Sequence, residues 1–242
     1  MHLILVLRVA ALTHSQSCCL GIDIGSHRTR ICIWADGSDT IVDNMHSFCL
    51  GGASYPCDFP SALYVFDEDS ALTADNLYLI EGEDSTRMSV SAKYAFYALT
   101  NISDALLEQY PPVHNLMARR EDPAFRDKLR RGLIALLSVL RDRALAVCQT
   151  KKLQVVRIGL TIPVQWTLEF EEVYRELVCK VFKVDQDVIY FFTETEALAR
   201  YLLKHNADQM DPDGEHNAIM FFDFGGHNMV CLTSLMASAA GC

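Results

Sequence analysis

Two stretches of this chain carry the same chemistry-bearing residues in the same order. CLGIDIGSHRTRICIW (19–34) and IMFFDFGGHNMVCLTSL (219–235) each give an apolar run, an aspartate, an apolar residue, a glycine, a small residue, a histidine and a second apolar run. An aspartate and a glycine at a hairpin also serve turn geometry alone, but a second copy of the whole pattern points beyond it. Glycine lets backbone N–H groups approach an anion closely, and a small or hydroxylated neighbour can donate a further hydrogen bond. The aspartate just before the turn would repel the same anion unless a cation lay between them. Mg2+ supplies that bridge and keeps several of its waters, so the carboxylates need not touch it directly. Two such hairpins facing each other would grip a polyphosphate from both sides, with Asp23 and Asp223 directed at the metal.

A third acid stands at a strand end. DVIYFF runs directly into TETEALARYLLKHN, where Thr193 and Glu196 have capping-box spacing, so a helix is predicted to start there with Glu194 in its first turn. Glu194 could orient an attacking water; equally, both glutamates could simply satisfy the helix amino terminus. His27 and His227 each lie four residues after their aspartates. They read either as polar turn residues or as half of a mixed Asp/His transition-metal site.

The elements that must hold these residues follow from periodicity. Residues 19–24 and 30–35 are predicted strands, and Asp36-Gly37 followed by TIV at 40–42 predicts a hairpin into a third, an antiparallel meander. From 51 to about 123 the pattern is irregular: a strand-like PSALYVF, a short strand near LYLI, and helical patches at SVSAKYAFYAL and SDALLEQY, together an inserted subdomain. Leu129, Leu133, Leu136, Leu137, Leu140, Ala144 and Val147 then share one face of a long amphipathic helix. VVRIGLTIP predicts a strand buried on both faces and ended by Pro163. TLEFEEVYRELVCKVF predicts a helix capped by Thr167, with Phe170, Val173, Tyr174, Leu177 and Val181 as its apolar stripe. After a polar linker, two further strands flank the second glycine turn.

Composition narrows the partners. The formal charge of -10 and the pI near 5.2 leave no basic face to release counterions from a phosphate backbone, so no nucleic acid partner is expected. Half of the residues are apolar, enough for a substantial core. Nine cysteines, with no CxxC pair, predict a reduced, cytoplasmic protein. The opening MHLILVLRVAALTHSQS has a secretory-like apolar run, but Arg8 interrupts it and no cleavage site follows. No membrane span is expected, because that run is too short.

Taken in order, GIDIGS, TIPVQW, TETEALARYLL and FFDFGGHN resemble the first phosphate motif, central strand, connecting helix and second phosphate motif of actin-like ATPases. Among these the chain most resembles the seventy-kilodalton heat-shock protein family, in particular its divergent fungal relatives, over about residues 18–235. FPSALYV also resembles that family's Pro-Ser strand. The resemblance implies an α/β, ribonuclease-H-like lobe with a mixed sheet flanked by helices. Residues 1–17 would be an extension, 18–205 the first lobe with its insertion at about 51–125, 206–216 a linker, and 217–242 the start of an incomplete second lobe. It implies ATP and Mg2+ as cofactors, with protein partners as a further expectation. Asp23 and Asp223 would take the magnesium-water positions, and Gly25, Ser26 and His27 the first phosphate loop. Gly225, Gly226, His227 and Asn228 would form the second, with Glu194 at the position associated with hydrolysis and Asp223 beside it. Ser26 and His27 stand where the family usually has two threonines, and His227, Asn228 and Val230 replace the glycine, threonine and acid of its second loop. Lys93 is the one candidate for the family's phosphate-contacting lysine, but its surroundings do not match and the role is not carried over to it. A degenerate, non-catalytic interaction module of the same fold, or a sugar or acid kinase relative, are the alternatives.

Overall fold

In the computed structural model, the residues described are 15–35, 41–42, 59–66, 77–78, 87–100, 116–210, 218–224 and 229–235. Strand β1 (Gln16–Ile24) places Cys18, Leu20, Ile22 and Ile24 in the core at alternate positions, the period expected of a strand with one packed face. β2 (Arg28–Ala35) returns antiparallel to it, with Ile22 opposite Ile31 and Asp23 opposite Arg30. β3 (Ile41–Val42) and β4 (Phe59–Pro60) both pair with β2, and β5 (Ala62–Leu63) forms a small separate sheet with β6 (Val90–Ser91). Helix α1 (Ala92–Leu99) follows directly and is buried along its whole length.

Helix α2 spans Pro123–Lys151, about 44 Å at the α-helical rise. Asp122 caps it by accepting from the Ala124 N–H at 2.9 Å, and Pro123 fits a first position that needs no donor. Its predicted apolar face is buried throughout. The helix ends where Lys152 adopts the left-handed conformation, φ 55°, and the chain turns into β7 (Leu153–Ile162).

β7 pairs with β1 in parallel, and β8 (Ile189–Thr193) pairs with β7 in parallel on the other side, after a crossover through helix α3 (Leu168–Phe182). The resulting six-stranded mixed sheet runs β3-β2-β1-β7-β8, with β4 also on β2. Helix α4 (Glu194–Met210) leaves the end of β8 without a loop. β9 (Ala218–Phe224) and β10 (Met229–Leu235) form a separate two-stranded sheet, which lies against α4.

Four expectations change in detail. β7 is not buried on both faces: Ile158, Leu160 and Ile162 are core residues, whereas Val156 near its start is exposed. The apolar run therefore misleads: Gly159 and Thr161, which alternate with that core stripe, are only half-buried, so one face of the strand carries the core. Thr167 occupies the cap position of α3, but its hydroxyl makes no cap bond. Of LYLI only residues 77 and 78 are described, and among the described residues it supplies a single bridge, from Tyr78 to Leu63. α4 runs to Met210, so helix covers the first part of the segment read as a linker from 206. The helix read at SDALLEQY lies outside the described residues, as does the turn at Asp36-Gly37.

Candidate functional site

β1, β7 and β8 are neighbours and parallel, so their carboxyl ends open on one edge of the sheet. Register brings Asp23 opposite Thr161, and Thr161 opposite Phe192. Two strand spacings, about 10 Å, separate Asp23 from Phe192, with Glu194 just beyond the end of β8. In open α/β sheets, ligands bind outside the carboxyl ends of parallel strands, so this edge is where chemistry is to be sought.

Asp23 is partly buried on the face of β1 opposite the core stripe. The Thr161 hydroxyl donates to its Oδ1 at 2.6 Å, a short charge-assisted bond that fixes the carboxylate's direction. Sequence reasoning missed Thr161; its place two residues before Pro163, at the end of the central strand, was the available signal. The Tyr174 hydroxyl, wholly buried on α3, has no hydrogen-bond partner among the described residues. Burial, reinforced by the negative charge of Asp23, pushes its ionisation well above the ordinary phenol range, so Tyr174 stays a neutral donor.

The turn after β1 is tight. Gly25 N–H donates to Arg28 O at 3.0 Å, and a Cβ on Gly25 would come within 2.5 Å of that same oxygen. Only glycine fits. The Gly25 amide is thus spent inside the turn, leaving Ser26 and His27 at its tip; Ser26 is half-buried and His27 exposed. From outside, Ser61 N–H donates to His27 O at 3.0 Å, and Thr29 and Ser61 share a buried hydroxyl contact of 2.8 Å. Pairing of β4 with the start of β2 therefore braces the turn.

Lys93 lies 101 residues before Glu194 in sequence, yet its Nζ donates to Glu194 Oε1 at 2.6 Å. Both side chains are well covered, at 7% and 18% exposure. An aromatic block makes this possible. Phe96 packs on Tyr174 and Trp166 with ring centroids 5.0 and 5.1 Å apart, Tyr97 packs edge-on to Phe170, and Trp166 stacks on Phe170 at 4.7 Å. These rings lock α1 to α3 and to the turn after β7, and Lys93 sits one turn before Phe96 and Tyr97 on the same helix. The local surroundings of Lys93 give no hint of this pairing, since the contact depends entirely on tertiary packing.

The α4 cap is half of the predicted box. Glu196 N–H donates to Thr193 Oγ1 at 3.2 Å, while the Glu196 carboxylate turns outward to Arg200 at 2.7 Å. Glu196 is therefore a surface residue and Glu194 the inward one. Asp223 lies on β9, in register with Val230. Gly225, Gly226, His227 and Asn228 lie outside the described residues. Of the predicted site residues, Asp23, Gly25, Ser26, His27 and Glu194 thus fall on one edge, with Lys93 and Thr161 added to them.

Among the described residues, no group of three or more His, Cys, Asp or Glu side chains could hold a metal ion directly. A single carboxylate oriented by a hydroxyl donor suits a hydrated Mg2+, which needs no protein cage. No described helix is long and apolar enough to cross a membrane. No protein-family model matches the chain, and no curated protein matches it.

Proposed function

We propose that the chain is a Mg-ATP-binding lobe of the actin-like ATPase class, related to the seventy-kilodalton heat-shock proteins. The observation carrying this reading is the convergence of Asp23, Thr161, Glu194 and Lys93 at the carboxyl ends of β1, β7 and β8. A strand order of three antiparallel strands followed by two parallel ones, with a helical crossover between the last pair, supports the ribonuclease-H-like reading. Asp23 would hold Mg2+ through water, and the cation would offset phosphate charge. Ser26 and His27 would face the phosphates from the braced turn, Lys93 would supply a cation at the site, and Glu194 would be the acid available to orient water. Gly225 to Asn228, with Asp223, complete the grip in this reading from the second hairpin.

A second reading, binding without turnover, is favoured by the Lys93–Glu194 pair. A glutamate whose Oε1 already accepts from a lysine at 2.6 Å has fewer acceptor sites left with which to orient water. The bulky His27 and Arg28 at the turn, both exposed, also favour it. Calorimetric titration of the full chain with Mg-ATP tests the first part: wild type is expected to give binding heat, and Asp23→Asn to weaken it about tenfold, the equivalent of ~1.4 kcal/mol. No heat from wild-type protein at high concentration would sink the nucleotide reading. Phosphate release separates the two: turnover that Glu194→Gln abolishes excludes the non-catalytic alternative.

A further inference from the structure

The Sγ atoms of Cys18 and Cys148 lie 3.9 Å apart. Cys18 is on β1 and Cys148 in the last turn of α2, 130 residues along the chain. Both side chains are buried, at 0% and 3% exposure. The sulfurs meet because α2 ends at Lys152, whose carbonyl accepts from Gln16 N–H at 3.1 Å, so the helix end and the start of β1 are joined at one corner. Cys18 stands opposite Val155 in the β1–β7 register, three residues beyond that turn. Asp23 lies five residues further along β1, about 16 Å away at the strand rise. This corner is thus separate from the candidate nucleotide edge.

We propose that Cys18 and Cys148 form an oxidation site, closing to a disulfide that pins α2 to the central strand. The partner reagent is a small disulfide of the glutathione type. One cysteine thiolate attacks it, forming a mixed disulfide and expelling one glutathione thiolate. The second cysteine gives up its proton and attacks the protein sulfur of the mixed disulfide, expelling the second glutathione. Two electrons pass from the cysteines to the reagent, which leaves as two thiols.

Burial pushes the Cys148 thiol up, and both sulfurs are covered, so the packed fold reacts slowly. Exchange proceeds during folding or through opening of the α2 end. Once formed, the link closes a long loop, and constraint on the unfolded chain raises stability. Cys19, next in sequence but on the opposite face of β1, takes no part.

The test refolds the full chain carrying Cys19→Ser in a glutathione redox buffer, followed by non-reduced proteolysis and mass spectrometry. A peptide pair linked through Cys18 and Cys148 is expected, with loss of two titratable thiols. The melting temperature in oxidised buffer is expected to exceed that in reducing buffer by roughly 5 °C or more. Cys148→Ser removes both effects, and Cys148→Ala serves where the serine variant does not fold. Absence of the linked peptide from the refolded Cys19→Ser protein, or an oxidative gain in melting temperature that persists in either Cys148 variant, overturns the proposal.

Discussion

The two Asp-x-Gly hairpins are alike in sequence and unlike in support. The first is built into a sheet: β1 is bonded to β2 on one side and β7 on the other, and β4 braces the turn between them. Its aspartate is aimed by the hydroxyl of Thr161, a residue from the neighbouring strand. The second, β9–β10, pairs only with itself among the described residues and rests on α4. A two-stranded unit is marginal in water without such a neighbour. A repeated motif therefore specifies a repeated local shape, while the precision of the functional group comes from the strands around it.

Proline substitution in the two hairpins gives the largest contrast. Leu20 is buried in the middle of β1, and Leu20→Pro removes a ladder donor and the buried leucine together. This variant is expected to yield no cooperatively folded protein. Met220→Pro, at the equivalent depth of β9, is expected to abolish hydrogen-exchange protection in β9 and β10 only, leaving the main melting transition within a few degrees of wild type. Circular dichroism melts and exchange mass spectrometry measure both. Equal global loss in the two variants would show that the second hairpin is as integral as the first.

Next in size is Lys93→Met. It leaves the Glu194 carboxylate, only 18% exposed, without its cation. Loss of one member of a buried pair costs about 3–5 kcal/mol. Urea unfolding should read a loss in that range, and the double variant Lys93→Met/Glu194→Gln should recover more than half of it. If the single variant unfolds like wild type, the pair does not hold this edge of the sheet together.

Much of this architecture is legible in the sequence, and the parts that are not have a common cause. The meander, α2, α3, β8 and α4 are all marked by local periodicity and end signals that packing leaves intact. Asp122-Pro123 at the start of α2 is such a signal. What sequence cannot supply is which distant residues meet. Thr161 and Asp23 are 138 residues apart, and Lys93 and Glu194 101. The first contact depends on strand order and the second on the aromatic block around Trp166, neither of which has a periodic signature. The burial of β7 is hidden for the same reason, since an apolar run does not reveal which face of a strand the rest of the chain covers.

Gly25→Ala tests the first turn directly. The added Cβ would meet Arg28 O, backbone rather than a flexible side chain, at 2.5 Å, so the turn must open and lose the Gly25–Arg28 bond. Overpacking of this kind costs about 1–3 kcal/mol. The same change at Gly225, in a hairpin whose loss the sheet is expected to tolerate, should move the main transition less. A larger effect at Gly225 would reverse the comparison.

The smallest predicted effect is a gain. Lys152 holds φ 55° at the end of α2, donating its N–H to the Cys148 and Gln149 carbonyls, and Lys183 holds φ 56° at the end of α3. Side chains other than glycine pay about 1–2 kcal/mol for this conformation, partly offset by glycine's greater freedom in the unfolded chain. Lys152→Gly and Lys183→Gly are each expected to add roughly 0.5–1 kcal/mol, or ~1–4 °C in melting temperature for a chain of this size. They differ in where the gain acts. Lys152 accepts from Gln16 at the start of β1 and leads into β7, the strand that gives the first hairpin its second neighbour. Its glycine variant should therefore slow hydrogen exchange in the outer residues of β1, whereas Lys183→Gly should slow exchange in the last turn of α3 and leave β1 unchanged. Slower exchange in β9 and β10 with Lys152→Gly would mean that the support given to the first hairpin is shared by the second.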